Sequence, residues 1–262
     1  MSDTIIWITG ASEGIGASLA DNCPYPDARI ISLSRRKHPK YETVQIDLTD
    51  PASWDVVREH VTKELAAFKG KRALFIQNAY SSDAHGPLRG TDPVVHQKAV
   101  LANVAAPLVM GEIFLRAVKP DYEAGLVLMS AGAAVWCLPG LSAYGPGKIA
   151  LEHWAQIMDR EMRDEPAPRP WVVAIRAGGT ATGPVLRTAE KAGNMAQANH
   201  IRENLKNRLT PDAAAKHIWA ALPPPPGISL ISFGDEPTDP EYQFDHARMK
   251  RVVVPGWRLV YR

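Results

Sequence analysis

Short runs of consecutive apolar residues alternate along the chain with longer stretches in which apolar residues recur at helical spacing. Apolar residues at consecutive positions are typical of strands covered on both faces of a parallel sheet. Seven such runs occur, at residues 4–9, 29–33, 44–46, 73–77, 125–129, 171–175 and 228–231. Helical patterns lie between them, after residue 10 and at about 51–68, 94–118, 143–163 and 211–222. Because alternating strands and helices need crossover connections, we predict an α/β fold: a single Rossmann-type doubly wound parallel sheet of about seven strands, with helices on both faces.

The 262 residues, of which 45% are hydrophobic, suit one large domain with a substantial core. We find no internal repeat, and the proline run at 223–226 is interpreted as a rigid loop because a predicted strand follows it. We therefore expect a single domain over 1–262. A polar, helix-prone segment at 183–209 and a basic tail at 234–262 fall outside the sheet pattern. The tail suits a dimer-packing arm and an incidental surface segment equally well.

Composition and charge exclude several function classes. The 30 basic and 28 acidic side chains leave a net charge of +2, so no strong field indicates nucleic acid or an anionic membrane as a partner. Two cysteines fit a reducing cytosol, and the eight histidines show no metal-ligand spacing. The N-terminus lacks signal-peptide features, and no apolar stretch approaches the roughly 20 residues of a membrane helix. We expect a cytoplasmic protein without a metal.

A glycine-rich turn connects the first predicted strand to the first predicted helix. It reads Thr9-Gly10-Ala11-Ser12-Glu13-Gly14-Ile15-Gly16. Glycines let the backbone turn tightly and approach a pyrophosphate, while the helix N-terminus offers free N–H groups. Glycines also occur in ordinary turns, but the position between a buried strand and an amphipathic helix favours a nucleotide.

A tyrosine and a lysine four positions apart open the helical pattern that follows the fifth strand. Tyr144 and Lys148 fall on one helix face, and Pro146 and Gly147 between them suit a first helical turn. A phenol has a pKa of about 10, and nearby positive charge stabilises the phenolate and lowers that pKa. The pair is therefore a candidate for proton transfer at a substrate oxygen.

The T-G-x-x-x-G-x-G turn and the Tyr-x-x-x-Lys pair together resemble the short-chain dehydrogenase/reductase family, from Thr9 to about Ile231. The resemblance implies a nicotinamide cofactor, a small carbonyl or alcohol substrate, and a homodimer or homotetramer. It implies that Tyr144 donates the proton in reduction, that Lys148 tunes it and binds the nicotinamide ribose, and that Asn103 holds a water in a proton relay. It also implies that segment 183–209 covers the substrate. The cofactor contacts that it implies are Gly10, Ser12, Glu13, Gly14, Ile15, Gly16, Asn78, Ala79, Tyr144, Lys148, Gly178, Thr180 and Thr182.

The end of the second strand bears on the choice of cofactor. It reads Ser34-Arg35-Arg36, without the acidic residue that selects NAD. Charge-assisted hydrogen bonds from arginine to a 2′-phosphate contribute about 1.5–3 kcal/mol each, so the pattern favours NADP(H). Glu13 is a complication, because many NADP-preferring relatives carry a basic residue there. After the third strand, Asp47 and Leu48 match the family position beside the adenine.

This sequence departs from the family pattern at several places. The family serine, thirteen positions before the tyrosine, is Ala131 here, and we consider Ser130 and Ser142 as replacements for its hydroxyl. Losing that hydrogen bond costs about 10²–10³ in rate. Ala177 replaces a proline in the loop after the sixth strand. Tyr80 stands where the family has glycine.

The sequence therefore predicts an NADP(H)-dependent oxidoreductase that transfers a hydride to or from a ketone, aldehyde or secondary alcohol. The residues around Tyr144 and the Asp164-Glu165-Pro166 stretch are also similar to reductases of the benzil and sepiapterin type. The alternative is an NADP(H)-binding sensor or interaction protein whose catalysis is attenuated, as Ala131 suggests.

Overall fold

Seven parallel strands form one sheet in the computed structural model, which describes residues 2–165, 167–180 and 208–233. The strands are β1 (Thr4–Thr9), β2 (Ala28–Ser34), β3 (Glu42–Gln45), β4 (Arg72–Gln77), β5 (Glu123–Ser130), β6 (Trp171–Arg176) and β7 (Leu230–Ser232). Their order is β3-β2-β1-β4-β5-β6-β7. The predicted α/β fold with a doubly wound sheet is confirmed, and every predicted strand lies within two residues of an observed one.

The helices between the strands begin at residues suited to helix starts. They are α1 (Gly14–Asp21), α2 (Pro51–Ala67), α3 (Pro93–Val100), α4 (Ala106–Ala117), α5 (Gly145–Arg163) and α6 (Pro211–Ala220). The side chains of Asp50, Asp92 and Thr210 accept hydrogen bonds from backbone N–H groups in the first turns of α2, α3 and α6. Each of these three caps is followed by a proline, which needs no N–H partner.

The core has two halves, one on each face of the sheet. Trp7, Phe75 and Phe114 lie in the half covered by α2, α4 and α5. Leu19 and Ile218 belong to the half covered by α1 and α6. Strand β1 is buried along its whole length, which explains its run of consecutive apolar residues.

The sheet order places the candidate residues at one edge. Strands β2 and β4 both pair with β1. The chain first adds β2 and β3 on one side of β1, and then adds the remaining strands on its other side, beginning with β4. In doubly wound folds the crevice at the carboxyl ends of the strands at such a reversal binds ligands. The glycine turn follows β1 and Asn78 follows β4, so both lie at this crevice.

One helical region corrects the expectation that no segment is apolar enough to cross a membrane. Residues Pro93–Ala117 form a continuous helix that is long and apolar enough by length and composition alone. Half of the most apolar stretch of this helix is buried inside the protein. The second half of the helix, α4, packs on α2 and on the sheet. A core helix and a membrane helix share this composition, so the packing identifies Pro93–Ala117 as a core helix of the α/β fold.

Two predicted segments lie mainly outside the described residues. Of segment 183–209 only Arg208 and Leu209 are described, and the tail 234–262 lies wholly outside. The single-domain organisation over 1–262 therefore stays a prediction.

Candidate active site

The glycine turn after β1 adopts conformations that need glycine. Gly10 and Gly14 have φ angles of +68° and +60°. A Cβ at Gly16 would lie 2.2 Å from the Gly10 carbonyl oxygen and 2.5 Å from Asn78 Nδ2. The first two glycines therefore allow the turn, and the third allows α1 to pack against it. The amides at the start of α1 have no partner within the helix, which suits an anion.

A cavity of about 820 Å³ opens beside this turn, within the range of small-molecule and cofactor sites. Its lining includes Gly10, Ser12, Glu13, Gly14, Ile15, Ser34, Arg35, Arg36, Asp47, Leu48, Asn78 and Ala79. All of these come from the set expected to contact the cofactor. The lining combines the glycine turn, a helix N-terminus and two arginines, and this combination fits a phosphate-bearing dinucleotide.

The basic edge of the cavity is held by side chains that bond to the backbone. Ser34 Oγ donates to the Arg36 carbonyl oxygen at 2.7 Å, and Gln45 Nε2 donates to that of Arg35 at 3.1 Å. Both arginine side chains are exposed at this edge. Asp47 Oδ1 accepts from both the amide and the hydroxyl of Thr49 at 2.9 Å, so its carboxylate also shapes the local turn.

The segment after β4 is anchored to β1. Thr9 Oγ1 accepts hydrogen bonds from the amides of Asn78 and Ala79, at 2.8 and 2.9 Å. The Asn78 side chain donates from Nδ2 to the Thr9 carbonyl oxygen at 3.1 Å. These bonds hold the end of β4 against the glycine turn and fix one wall of the cavity.

Tyr144 and Lys148 meet at the start of α5, as their spacing predicts. Tyr144 immediately precedes the helix and Lys148 lies one turn further on, with Pro146 in the first turn. Lys148 Nζ lies 5.2 Å from the centre of the Tyr144 ring and donates to the Met129 carbonyl oxygen at 2.6 Å. Lys148 is buried and Tyr144 is half-buried.

Burial favours the neutral form of both groups. It raises the pKa of the Tyr144 phenol above its ordinary value, and the neighbouring Tyr80 phenol raises it further. Burial lowers the pKa of Lys148 to about 8, although the Glu152 carboxylate acts in the opposite direction. At neutral pH the phenol therefore holds its proton while Lys148 keeps its charge.

Asn103 connects the loop after β4 to the helices behind the site. It lies in a π-helical turn, Leu101–Ala105, between α3 and α4. Its amide oxygen accepts from Ser81 N at 2.7 Å, and its Nδ2 donates to Ser81 O at 2.9 Å. A Cβ at Gly147 would lie 2.4 Å from the Asn103 carbonyl oxygen, so the π turn packs directly on the first turn of α5. Such turns occur frequently at functional sites.

The position of Ser130 argues against it as the replacement for the family serine. Its hydroxyl donates to Glu152 Oε1 at 2.5 Å, and that carboxylate binds Arg176 through two hydrogen bonds of 2.7 Å. All three side chains are at least nine-tenths buried. Because its partners lie on α5 and β6, Ser130 points into the packing between β5, β6 and α5. Its hydroxyl is engaged by this buried ion pair, so we expect it not to bind a substrate oxygen, although the role of Ser130 stays a prediction.

The family position of that hydroxyl and the second replacement considered for it both lie in the chain between β5 and α5. Ala131 begins the loop after β5 and carries only a methyl group. Ser142 is exposed, two residues before Tyr144. Its role as the replacement stays a prediction.

The loop after β6 contains the remaining predicted contacts. Gly178 has a φ of +72°, and a Cβ there would lie 2.3 Å from the Phe233 carbonyl oxygen. Thr180 is buried and pairs with Leu209 through a parallel bridge. Thr182 lies outside the described residues. Gly178 is therefore required by the packing of this loop on the segment after β7.

Two aromatic residues beside the tyrosine were not predicted as part of the site. The Tyr80 ring centre lies 4.9 Å from that of Tyr144 and 5.5 Å from Lys148 Nζ. The His85 ring centre lies 5.3 Å from that of Tyr144. The signal for this contact in the sequence is the bulky Tyr80 at the glycine position of the family.

Comparisons with known proteins identify the family. Residues 4–193 match the family model for short chain dehydrogenase. The short chain dehydrogenase pigC of Monascus ruber is 25% identical over 180 residues, which are 62% of this chain and 58% of pigC. The chain thus spans less than two thirds of the length of that relative.

Solved structures share the fold. A short chain dehydrogenase/reductase from Saccharomyces cerevisiae superposes with a TM-score of 0.73 and 21% identity, over 92% of this chain and 99% of the yeast chain. A short chain dehydrogenase from Shigella flexneri, complexed with NADP, gives a TM-score of 0.62 and 21% identity, over 81% and 87%. The family model covers most of the sheet and the Tyr144–Lys148 pair, and we conclude that the chain belongs to the short-chain dehydrogenase/reductase family of oxidoreductases.

Proposed function

We propose that the protein is an NADP(H)-dependent carbonyl reductase or alcohol dehydrogenase. It transfers a hydride between nicotinamide and a ketone, an aldehyde or a secondary alcohol. The observation that carries this proposal is the meeting of Tyr144 and Lys148 at the start of α5. The pair adjoins the cavity through Tyr80, which lines the cavity and contacts the Tyr144 ring.

The chain's own residues supply the proton side of the reaction. A bound reduced nicotinamide would supply the hydride. Tyr144 keeps its proton at neutral pH and donates it to the carbonyl oxygen as negative charge develops there. The Lys148 ammonium, fixed by the Met129 carbonyl, stabilises the phenolate that results. General acid catalysis of this kind contributes about 10²–10⁴ in rate.

The preference for NADP(H) rests on the two arginines at the edge of the cavity. Arg35 and Arg36 are exposed where a 2′-phosphate would lie after β2, and the bonds from Ser34 and Gln45 hold their backbone. Glu13 lines the same cavity and opposes this preference by its negative charge. Both arginines follow β2 directly, where the 2′-phosphate would bind, so we expect NADPH to bind more tightly than NADH.

The test measures the oxidation of NADPH and NADH by the parent protein with a panel of ketones and aldehydes. We expect NADPH to be used at lower KM. The double variant Arg35→Ser/Arg36→Ser should raise the KM for NADPH by at least about tenfold without changing that for NADH. Arg160→Ser, an exposed arginine near the end of α5, is the matched control. A parent that prefers NADH, or a double variant that changes neither KM, contradicts the cofactor assignment.

A second candidate function is an NADP(H)-binding sensor with attenuated catalysis. It is favoured by the missing hydroxyl at Ala131 and by the bond between Ser130 and Glu152. Tight NADPH binding without oxidation of the cofactor by any carbonyl compound of the panel would support the sensor over the enzyme.

Several features of the proposal concern the whole protein. We propose a small-molecule substrate, no nucleic-acid or membrane partner, and assembly as a homodimer or homotetramer, since members of the family commonly form oligomers. Segment 183–209 is proposed to cover the substrate. The cytoplasmic location and the similarity to benzil and sepiapterin reductases stay predictions.

A further inference from the structure

Hydrogen bonds on both sides fix the backbone at Tyr80. On one side, the amide of Ala79 donates to Thr9 Oγ1 at 2.9 Å. On the other side, the main chain of Ser81 forms two hydrogen bonds with the Asn103 side chain. The Tyr80 ring is therefore presented from a backbone that cannot easily shift.

The ring itself is packed against the two residues proposed for proton transfer and against His85. The Tyr80 ring contacts the ring of Tyr144, and Lys148 Nζ lies over it. The rings of Tyr80 and His85 are stacked, with 6.5 Å between their centres. Tyr80 also lines the cavity that the glycine turn opens. It therefore touches both the cavity and the Tyr144 ring, where a glycine would leave the volume of a whole ring open.

We propose that Tyr80 is a specificity-determining residue, whose ring narrows the reaction site beside Tyr144 so that slim, unbranched carbonyl compounds react in preference to bulky cyclic ketones. This inference rests on the proposed function. The ring is packed against His85 and Tyr144 and its backbone is anchored, so it excludes volume instead of turning aside. One methylene more or less in a fixed hydrophobic pocket changes kcat/KM by about 10–200-fold.

The experiment compares hexanal with 2-decalone at saturating NADPH. Tyr80→Gly should raise the ratio of kcat/KM for 2-decalone over hexanal by at least about tenfold. Tyr80→Phe retains the ring and should keep the ratio within about threefold of the parent. Tyr25→Gly is the matched control, because Tyr25 precedes β2, at the amino ends of the strands, and packs on Trp219. It should leave the ratio unchanged.

The outcomes separate this inference from the proposed function. If the parent reduces hexanal and a folded Tyr80→Gly variant has an unchanged ratio of kcat/KM for the two compounds, the proposed role of Tyr80 is wrong. The proposed function then still stands. If Tyr80→Gly fails to fold by circular dichroism, Tyr80→Trp tests the same claim in the opposite direction, and an unchanged ratio overturns it. If the parent and the Tyr80 variants reduce neither compound, the proposed function is contradicted and this inference with it.

Discussion

At the scale of single residues, burial prepares Tyr144 to donate a proton. The raised pKa of the phenol means that it is protonated throughout the neutral range. The lowered pKa of Lys148, about 8, means that its ammonium is charged only below that pH. The pair in this form therefore suits reduction of a carbonyl at neutral or mildly acidic pH better than oxidation of an alcohol.

This difference predicts a pH dependence. Lys148 loses its proton as the pH rises through about 8, and the phenolate formed at Tyr144 then loses its nearest cation. We expect kcat/KM for carbonyl reduction with NADPH to fall with an apparent pKa near 8. Lys148→Arg keeps a cation at all these pH values, so the residual activity of that variant should not show this fall. A parent profile that is flat through about pH 9 contradicts the role of the ammonium.

The buried ion pair around Glu152 predicts that Ser130 contributes to stability. Ser130→Ala removes the hydrogen bond to a carboxylate that also binds Arg176, so we expect a loss of about 1–3 kcal/mol in the free energy of unfolding. Its kcat/KM should stay within about threefold of the parent, because the hydroxyl is already engaged by the Glu152 carboxylate. Urea denaturation and steady-state kinetics measure both quantities. Ser142→Ala, at an exposed position, should leave stability unchanged.

The opposite result for Ser130 would restore the original hypothesis. A fall of about 10²–10³ in kcat with unchanged stability would mean that Ser130 does supply the missing hydroxyl.

At the scale of elements, the site depends on the contact between the π turn and α5. The sequence predicts a continuous helix over 94–118 because its apolar positions repeat at helical spacing. The extra residue of the π turn at Leu101–Ala105 is stabilised by Ser81 and Gly147, which lie far away in the chain, so periodicity could not reveal it. Tyr144 and Lys148 could be paired from the sequence, because their separation within one helix is local.

Gly147 provides a test of this contact. Gly147→Ala places a methyl group 2.4 Å from the Asn103 carbonyl oxygen, which must shift. We expect a loss of about 1–3 kcal/mol in the free energy of unfolding and a fall in kcat. Gly90→Ala is the matched control, because its added Cβ has no neighbour within 4 Å. Equal stability and kcat in the two variants would show that the packing of the π turn on α5 is unimportant.

At the scale of the whole molecule, the sheet brings together residues that lie far apart in the sequence. The runs of apolar residues predict all seven strands because the five central strands are short and largely buried, while the partly exposed edge strands β3 and β7 still carry apolar residues. The apolar composition of Pro93–Ala117 also makes this helix resemble a membrane helix, since only packing distinguishes a core helix from a membrane helix. The contact between Tyr80 and Tyr144 joins the end of β4 to the start of α5, and it depends on ring orientations that a linear pattern does not contain.

The central claim is that Tyr144 donates the proton that accompanies hydride transfer. Single-turnover oxidation of bound NADPH by an aldehyde measures this step most directly, with Tyr144→Phe compared against the parent. We expect the variant to bind NADPH as the parent does, and its rate of cofactor oxidation to fall by about 10²–10⁴. An equal rate in the two proteins would contradict the account.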